Sequence, residues 1–323
     1  MRFTAVDGVS FDIRRGEILG VVGESGCGKT VSALALLRLI DQPGRSSASR
    51  LEWNGVDMLA LSERQMCDIR GGQIAMIFQN PQGSLNPSRT IGAQISSVLK
   101  LHSKLGNGEA AEQTAKLLRS VHIPDPERVM RSYPHELSSG MCQRVMIAMA
   151  ISARPQLLIA DEPTASLDVT IQAQIMALML QIRAELQMSI LLVSHDLGVI
   201  ARMCDRIAVM YLGRIVELGT AEQIYFSPKH PYTRALLKAV PIPDPRRRDV
   251  EILDGEMPSV MHIPTGCRFR TRCSEAISAC KMHDPQLVCV SPGHSAACLL
   301  VAPETTVGID TGSLTTQSVC AQD

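Results

Sequence analysis

Apolar residues occur along the chain as short unbroken runs separated by longer stretches of helical period. Ile18-Leu19-Gly20-Val21-Val22, Ile74-Ala75-Met76-Ile77-Phe78, Leu157-Leu158-Ile159-Ala160-Asp161 and Ile190-Leu191-Leu192-Val193-Ser194 are the four clearest runs. Runs of this length, bounded by turn residues, predict strands buried on both faces. Residues 171–186 have the length and spacing of a crossover helix between the last two, and residues 62–70 predict a shorter helix. Strands alternating with helices imply an α/β fold with a parallel sheet and a ligand at the strand C-termini. Three weaker signals add to this. Val9-Ser10-Phe11-Asp12-Ile13 alternates like a strand, residues 51–55 predict a short strand ending in a turn, and residues 206–219 predict a hairpin around Gly213-Arg214.

Between residues 80 and 155 the pattern changes. Asn80-Pro81, Asn86-Pro87, Ile123-Pro124 and Tyr133-Pro134 punctuate stretches of helical spacing, among them Ile91-Ile95-Val98-Leu99 and Ala111-Ala115-Leu118. This reads as a mostly helical insert. Past Tyr232 a helix leads into Pro241-Ile242-Pro243-Asp244-Pro245-Arg246-Arg247-Arg248, a stiff charged linker, and a cysteine-bearing stretch follows. The Thr/Ser-rich end from Pro303 is expected to be disordered. The expected division is a core from residues 1–79 and 156–240, a helical subdomain at 80–155, an extension at 241–302 and a tail at 303–323.

One strand ends in chemistry. The first buried run feeds Gly23-Glu24-Ser25-Gly26-Cys27-Gly28-Lys29-Thr30, a G-x-x-x-x-G-K-T sequence, and an apolar helical stretch opens at Lys29. Strand, glycine turn and helix start are the context a phosphate loop requires. The glycines let successive backbone N–H groups turn inward around phosphate oxygens, and the helix N-terminus adds its positive dipole end. Lys29 supplies a point charge to the β- and γ-phosphates, and Thr30 a hydroxyl for Mg²⁺. A second cluster, Asp161-Glu162, closes the third buried run. Asp161 is expected to hold Mg²⁺ through water and Glu162 to polarise an attacking water.

Composition narrows the partners. The 323 residues are 45% hydrophobic but only 3% aromatic, so the core is built of Leu, Ile, Val, Met and Ala. Thirty-two basic side chains balance 32 acidic ones, leaving no basic footprint for nucleic acid. No run approaches the length of a membrane span, and the first residues lack the apolar region of a secretory signal. A cytosolic setting is expected, and there ten cysteines are free, metal-bound or cluster-bound rather than paired.

Further words complete a pattern. Gln79 follows the second buried run, Leu137-Ser138-Ser139-Gly140-Met141 precedes a helix, Ser166-Leu167-Asp168 follows the carboxylates, and Ser194-His195-Asp196 closes the fourth run. In this order, from about Val6 to Leu218, they resemble the ATP-binding subunit of ATP-binding-cassette (ABC) transporters. The resemblance implies a P-loop NTPase core and a head-to-tail dimer with two shared ATP sites. Ser138 and the Gly140 backbone would contact the γ-phosphate held by the opposite subunit's Lys29. His195 would touch the same phosphate, Gln79 would sense it and add to the Mg²⁺ shell, and Asp168 would link the two sites. Narrower wording is similar to that of bacterial importers of dipeptides, oligopeptides and nickel: residues 78–87, Tyr133-Pro134-His135-Glu136-Leu137, Asp168-Val169-Thr170-Ile171-Gln172-Ala173-Gln174 and residues 230–237. That branch implies integral-membrane permease subunits, a second ATP-binding subunit (a like copy or a paralogue) and, indirectly, an extracytoplasmic peptide-binding protein. It also implies a peripheral place on the cytoplasmic side of the inner membrane. The rival classes are a soluble ABC ATPase acting on nucleic acid or ribosomes, and a P-loop kinase, which needs no element at residues 137–141.

Two departures from the family pattern stand out. Ser139 replaces the first glycine of L-S-G-G, where a β-carbon is expected to crowd the partner's phosphate and weaken hydrolysis, and Cys142 replaces the usual arginine. Measured against the family pattern, the residues before Val6 are expected to fall short of the family's first strand and its adenine-stacking aromatic, which implies either a misassigned start or weak base stacking.

Cys267, Cys273, Cys280 and Cys298 follow C-x₅-C-x₆-C-x₁₇-C. Four thiolates suit tetrahedral Zn²⁺ or an iron–sulfur cluster, and the tight pairs of structural zinc sites are absent. Free buried thiols are the third reading. Gly266-Cys267-Arg268-Phe269-Arg270-Thr271-Arg272-Cys273 resembles the C-terminal extension of peptide-importer ATPases, which implies a [4Fe–4S] cluster on these four cysteines.

Overall fold

The computed structural model describes residues 3–165, 167–239 and 255–301. The chain divides into two compact units, the first made of residues 1–12, 18–32 and 194–323 and the second of residues 13–17 and 33–193. Among the described residues the strands, in chain order, are β1 (Ile18–Val22), β2 (Glu52–Trp53), β3 (Val56–Asp57), β4 (Ile74–Ile77) and β5 (Leu157–Asp161). They continue with β6 (Ser189–Ser194), β7 (Arg206–Tyr211), β8 (Arg214–Thr220), β9 (Val288–Ser291) and β10 (His294–Ala296). The four apolar runs are therefore strands β1, β4, β5 and β6, each within a residue or so of its expected bounds.

In the second unit β4, β5 and β6 pair in parallel, with Ile74 opposite Leu157 and Leu157 opposite Ser189. Every residue of β5 and β6 is buried, which explains their unbroken apolar character. The helix Val169–Leu186 makes the crossover between them. The short strand and turn expected at residues 51–55 are β2 and the Asn54-Gly55 turn, at φ 48° and 81°, which leads into β3, a pairing strand the sequence did not signal. The helix Glu63–Ile69 starts in a capping box of Ser62 and Gln65.

Residues 80–155 of this unit are helical as expected: Pro81–Ser84, Ile91–Ser103, Asn107–Ser120, Pro126–Arg131 and Ser139–Ile151. Ile91, Ile95, Leu99, Leu118, Val129 and Val145 are buried among them. Asn80, Thr90, Asp125 and Ser138 each cap the helix that follows by accepting from a backbone N–H three residues on.

In the first unit β1 lies parallel to β7, and β7 turns back antiparallel into β8 through Leu212 and Gly213, at φ 43° and 82°. This is the predicted hairpin, with a role the sequence did not reveal: β7 is wholly buried and carries the parallel pairing of β1. The cysteine-bearing extension adds β10 against β8 and β9 against β10, both antiparallel. Glu217 on β8, fully buried, fastens the three pieces together. It accepts from the backbone N–H of Lys229 at 2.6 Å and of His230 at 2.9 Å, and it pairs with His294 Nε2 of β10 at 2.7 Å.

The alternation at residues 9–13 does not produce a strand. Val9, Phe11 and Ile13 are half-buried and their neighbours exposed, as the pattern requires, but side chains hold the segment instead of a ladder. Asp12 pairs with Arg206 at 3.2 Å, and Asp7 pairs with Arg214 at 2.9 Å and with Arg268. The linker at residues 241–248 and the tail at 303–323 lie outside the described residues, as does Ser166.

Candidate functional site

In the first unit, β1 delivers the chain into a loop that demands glycine at two positions. A Cβ on Gly23 would stand 2.1 Å from the Met210 carbonyl oxygen of β7. A Cβ on Gly28 would stand 3.0 Å from the Ala5 carbonyl oxygen, at a φ of +107°. Gly26 also lies in the left-handed region. Lys29 opens the helix Lys29–Leu36 and is almost wholly buried. Its Nζ donates to the carbonyl oxygens of Gly23 at 2.7 Å and Glu24 at 3.0 Å, so the ammonium is drawn over the cradle that the loop forms. Ser25 on the loop and Thr30 in the first helical turn are exposed, whereas Cys27 is fully buried. Burial pushes the Cys27 thiol up, against the pull of Lys29, so it packs rather than reacts.

The same loop is held from the C-terminal side of the chain. The Glu24 backbone N–H donates to the buried Tyr232 hydroxyl at 3.0 Å. The Glu24 carboxylate takes both arms of the Arg272 guanidinium, at 2.9 and 3.1 Å. Neither partner stands out by spacing. Tyr232 and Arg272 do lie inside the two words at residues 230–237 and 266–273, which carry the resemblance without any assigned task. His195, also in this unit, is exposed just past β6.

In the second unit Asp161 ends β5 and is about 1% exposed. Glu162 follows at φ 46°, a left-handed conformation rare for a residue with a side chain. Its N–H donates to the Val193 carbonyl at 2.9 Å, and its Oε2 accepts from Gln79 Nε2 at 2.8 Å. The structure thus joins two predicted site residues 83 positions apart. A backbone outlier fixed by a hydrogen bond at a strand end is a common mark of a working residue. The buried Asp161 carboxylate and the exposed Thr30 hydroxyl are hard oxygen donors of the kind Mg²⁺ takes.

Ser138 and Asp168 occupy equivalent places. Ser138 caps the helix Ser139–Ile151, accepting from Met141 N at 3.3 Å, and Asp168 caps Val169–Leu186, accepting from Ile171 N at 3.0 Å. Both are exposed. A Cβ on Gly140 would meet Ile171 at 3.2 Å, so the two helices approach closely at that glycine. Ser139 is exposed in the first helical turn, and Cys142 donates its thiol to Pro134 O.

The four cysteines of the extension, with His230 and Phe269, line one pocket in the first unit. Burial raises Cys267 to about 11 and pushes Cys273 and Cys298 up as well, with the neighbouring sulfurs adding to each. Among the described residues no group of three or more His, Cys, Asp or Glu side chains is arranged to hold a metal ion. The expected cluster site therefore amounts to four thiols around one pocket without a preformed ligand set.

A family model described as ABC transporter matches residues 6–165, and one described as oligopeptide/dipeptide transporter, C-terminal region, matches residues 216–280. The dipeptide transport ATP-binding protein DppD of Haemophilus influenzae is 50% identical over 88% of this chain and 86% of its own length. The chain belongs to the ABC transporter family. Other family members are similar along nearly the whole chain. DppD of Escherichia coli is 45% identical over 92% of this chain and 90% of its own. The oligopeptide transport ATP-binding protein OppD of Salmonella typhimurium is 45% identical over 91% and 88%. Among solved ABC structures, a dimeric ATP-binding cassette in a post-hydrolysis state, bound to ADP and Pi, superposes with a TM-score of 0.60. It is 25% identical and covers 67% of this chain and 90% of that one. As a member of this family the chain is an ATPase with the mixed α/β cassette fold. Among the described residues no helix is long and apolar enough to cross a membrane.

Proposed function

We propose that the chain is the ATP-hydrolysing subunit of a bacterial ABC importer, peripheral to the cytoplasmic face of the inner membrane, that energises uptake of dipeptides or oligopeptides through a permease. One observation carries the site: a cradle whose Gly23 and Gly28 have no room for a β-carbon, with the buried Lys29 ammonium drawn over it. The relatives' names and the match of the C-terminal model support the peptide branch. Neither they nor the neutral charge balance favours a nucleic-acid partner.

In this reading Lys29 and the backbone N–H groups of residues 23–30 bind the phosphates of ATP, and Glu162 orients and deprotonates the attacking water. Gln79 holds the Glu162 carboxylate in place through its amide. His195 touches the γ-phosphate. Ser138 and Gly140 reach the γ-phosphate of a second ATP-binding subunit, and Asp168 communicates between the two sites. Thr30, Gln79 and Asp161 would hold Mg²⁺, which supplies charge neutralisation at the β- and γ-oxygens. The division into a core at 1–79 and 156–240, a helical subdomain at 80–155 and an extension at 241–302 belongs to the same reading.

Glu162→Gln tests it. Turnover should fall by about 10²–10⁴, the usual worth of a general base, while ATP and Mg²⁺ drive a stable dimer in size-exclusion chromatography. Unchanged ATPase activity removes Glu162 from the chemistry. The finer assignment, a [4Fe–4S] cluster on Cys267, Cys273, Cys280 and Cys298, rests on the resemblance; the four line one pocket, but among the described residues no such group is placed to hold a metal. Iron and sulfide assays on protein purified under nitrogen decide it, and stoichiometric zinc or bare thiols retire it.

A further inference from the structure

The phosphate loop carries an acid at its mouth. Glu24 is the second residue of the cradle, its side chain is 29% exposed, and its own carbonyl is one of the two that accept from Lys29 Nζ. A carboxylate there lies among the groups that must receive the polyanionic tail of ATP, and like charges at such range repel. Arg272, from the cysteine-bearing extension 248 positions away, pairs with it. The pairing is a two-armed fork, at 2.9 and 3.1 Å, with the Arg272 side chain 5% exposed. That geometry is selective for guanidinium and is hardly screened by solvent.

What surrounds Arg272 fixes it. Its Cζ lies 6.0 Å from the centre of the Tyr211 ring, and Tyr211 packs edge-on against Phe269 at 5.2 Å. Phe269 also meets Tyr232 at 5.3 Å, the residue whose hydroxyl accepts from the Glu24 N–H. Arg268, next in sequence to Phe269, donates to the Leu212 carbonyl at 2.6 Å. Residues 268–272 thus grip the loop directly through the Glu24 side chain, by Arg272, while Phe269 packs on Tyr232, which holds the Glu24 backbone N–H.

We propose that Arg272 is a positioning residue of the ATP site: it neutralises Glu24 and holds the phosphate loop in its binding shape. The inference rests on the reading of residues 23–30 as the ATP site. It gives the extension a task in nucleotide binding that does not depend on what, if anything, the cysteines bind.

The test uses the full chain, ATP titrations and steady-state kinetics on three variants. Arg272→Ala should raise the KM for ATP about tenfold with kcat changed far less, because a charge-assisted pair is lost and an unpaired carboxylate remains beside the phosphates. Arg272→Lys should recover part of the affinity, since the charge returns without the fork. The double variant Arg272→Ala with Glu24→Gln should bind better than Arg272→Ala alone, because the uncompensated charge is gone. A merely structural arginine predicts the opposite: a lower unfolding midpoint without nucleotide, no change in KM, and no recovery in the double variant. That result overturns the proposal. Failure of the wild-type chain to bind ATP overturns both the proposal and the functional reading, whereas wild-type binding with an unaffected Arg272→Ala overturns the proposal alone.

Discussion

At the scale of single residues, the positions that matter are those where a side chain, or its absence, is forced. Gly23 has no room for a methyl group, and Glu162 bends the backbone into a region that costs roughly 1–3 kcal/mol unless its surroundings hold it. Ser139 is different. It is exposed in the first turn of its helix, so the subunit's own packing makes no demand on its side chain. Its effect, if the helix start faces a partner's ATP, is felt only across the dimer. Ser139→Gly should therefore leave the unfolding midpoint within about 1 kcal/mol of wild type, the ordinary cost of glycine in an exposed helical turn, while raising ATP turnover several-fold. A turnover that does not rise shows that the β-carbon is harmless there. Much of this scale is legible in the sequence, because glycine spacing and strand-end acids declare their chemistry. The bend at Glu162 is not, since a positive φ on glutamate comes from tertiary constraint rather than from residue type.

Elements were legible wherever burial was symmetric. Strands β1, β4, β5 and β6 are sheathed on both faces and so read as solid apolar runs, and the helix expected from Ser62 does start there, in a capping box. Residues 9–13 misled because half-burial alternates there without forming a strand, and the ion pair of Asp12 with Arg206 does the holding. β9 and β10 were missed because they are short and give up apolar pattern to His294, whose task is to meet Glu217. That buried pair yields a prediction about pH. Burial alone would raise the Glu217 pKa, yet hydrogen bonds from His294 and the N–H groups of Lys229 and His230 outweigh it, and the net shift is downward from 4.5. A carboxyl with a lowered folded-state pKa gives stability that is complete above its unfolded value and is lost as pH falls through the folded one. The junction of β8, β10 and the helix Pro231–Lys238 should accordingly loosen below about pH 4.5. Amide hydrogen exchange at residues 214–220 and 294–296 should accelerate in acid, and Glu217→Gln should flatten that dependence while lowering stability by about 3–5 kcal/mol. Equal acid sensitivity in the variant would place the titrating group elsewhere.

At the scale of the whole molecule, an importer ATPase must pass the state of its γ-phosphate to a permease, and the chain offers one segment suited to that. Gln79, hydrogen-bonded to Glu162, stands directly after Phe78, an aromatic 39% exposed at the end of β4. Gly83 and Asn86, like Asn80 and Gln82, are exposed in the short stretch that follows, while Leu85 anchors it in the second unit's core. Phe78 stands beside the Gln79–Glu162 hydrogen bond, and partly exposed aromatics are frequent anchors of protein–protein contacts. Phe78→Asp should therefore keep the ATPase activity of the purified chain and its unfolding midpoint, because Phe78 gives the core little. Sedimentation with permease-containing membranes should fall about tenfold or more, as truncated interface anchors cost 2 kcal/mol or more, and peptide uptake should fall with it. Should the variant sediment with the permease as wild type does, the docking surface lies on another part of the chain. Should its ATPase collapse instead, Phe78 serves the site through Gln79 and not the permease. The two measurements together therefore separate coupling from catalysis.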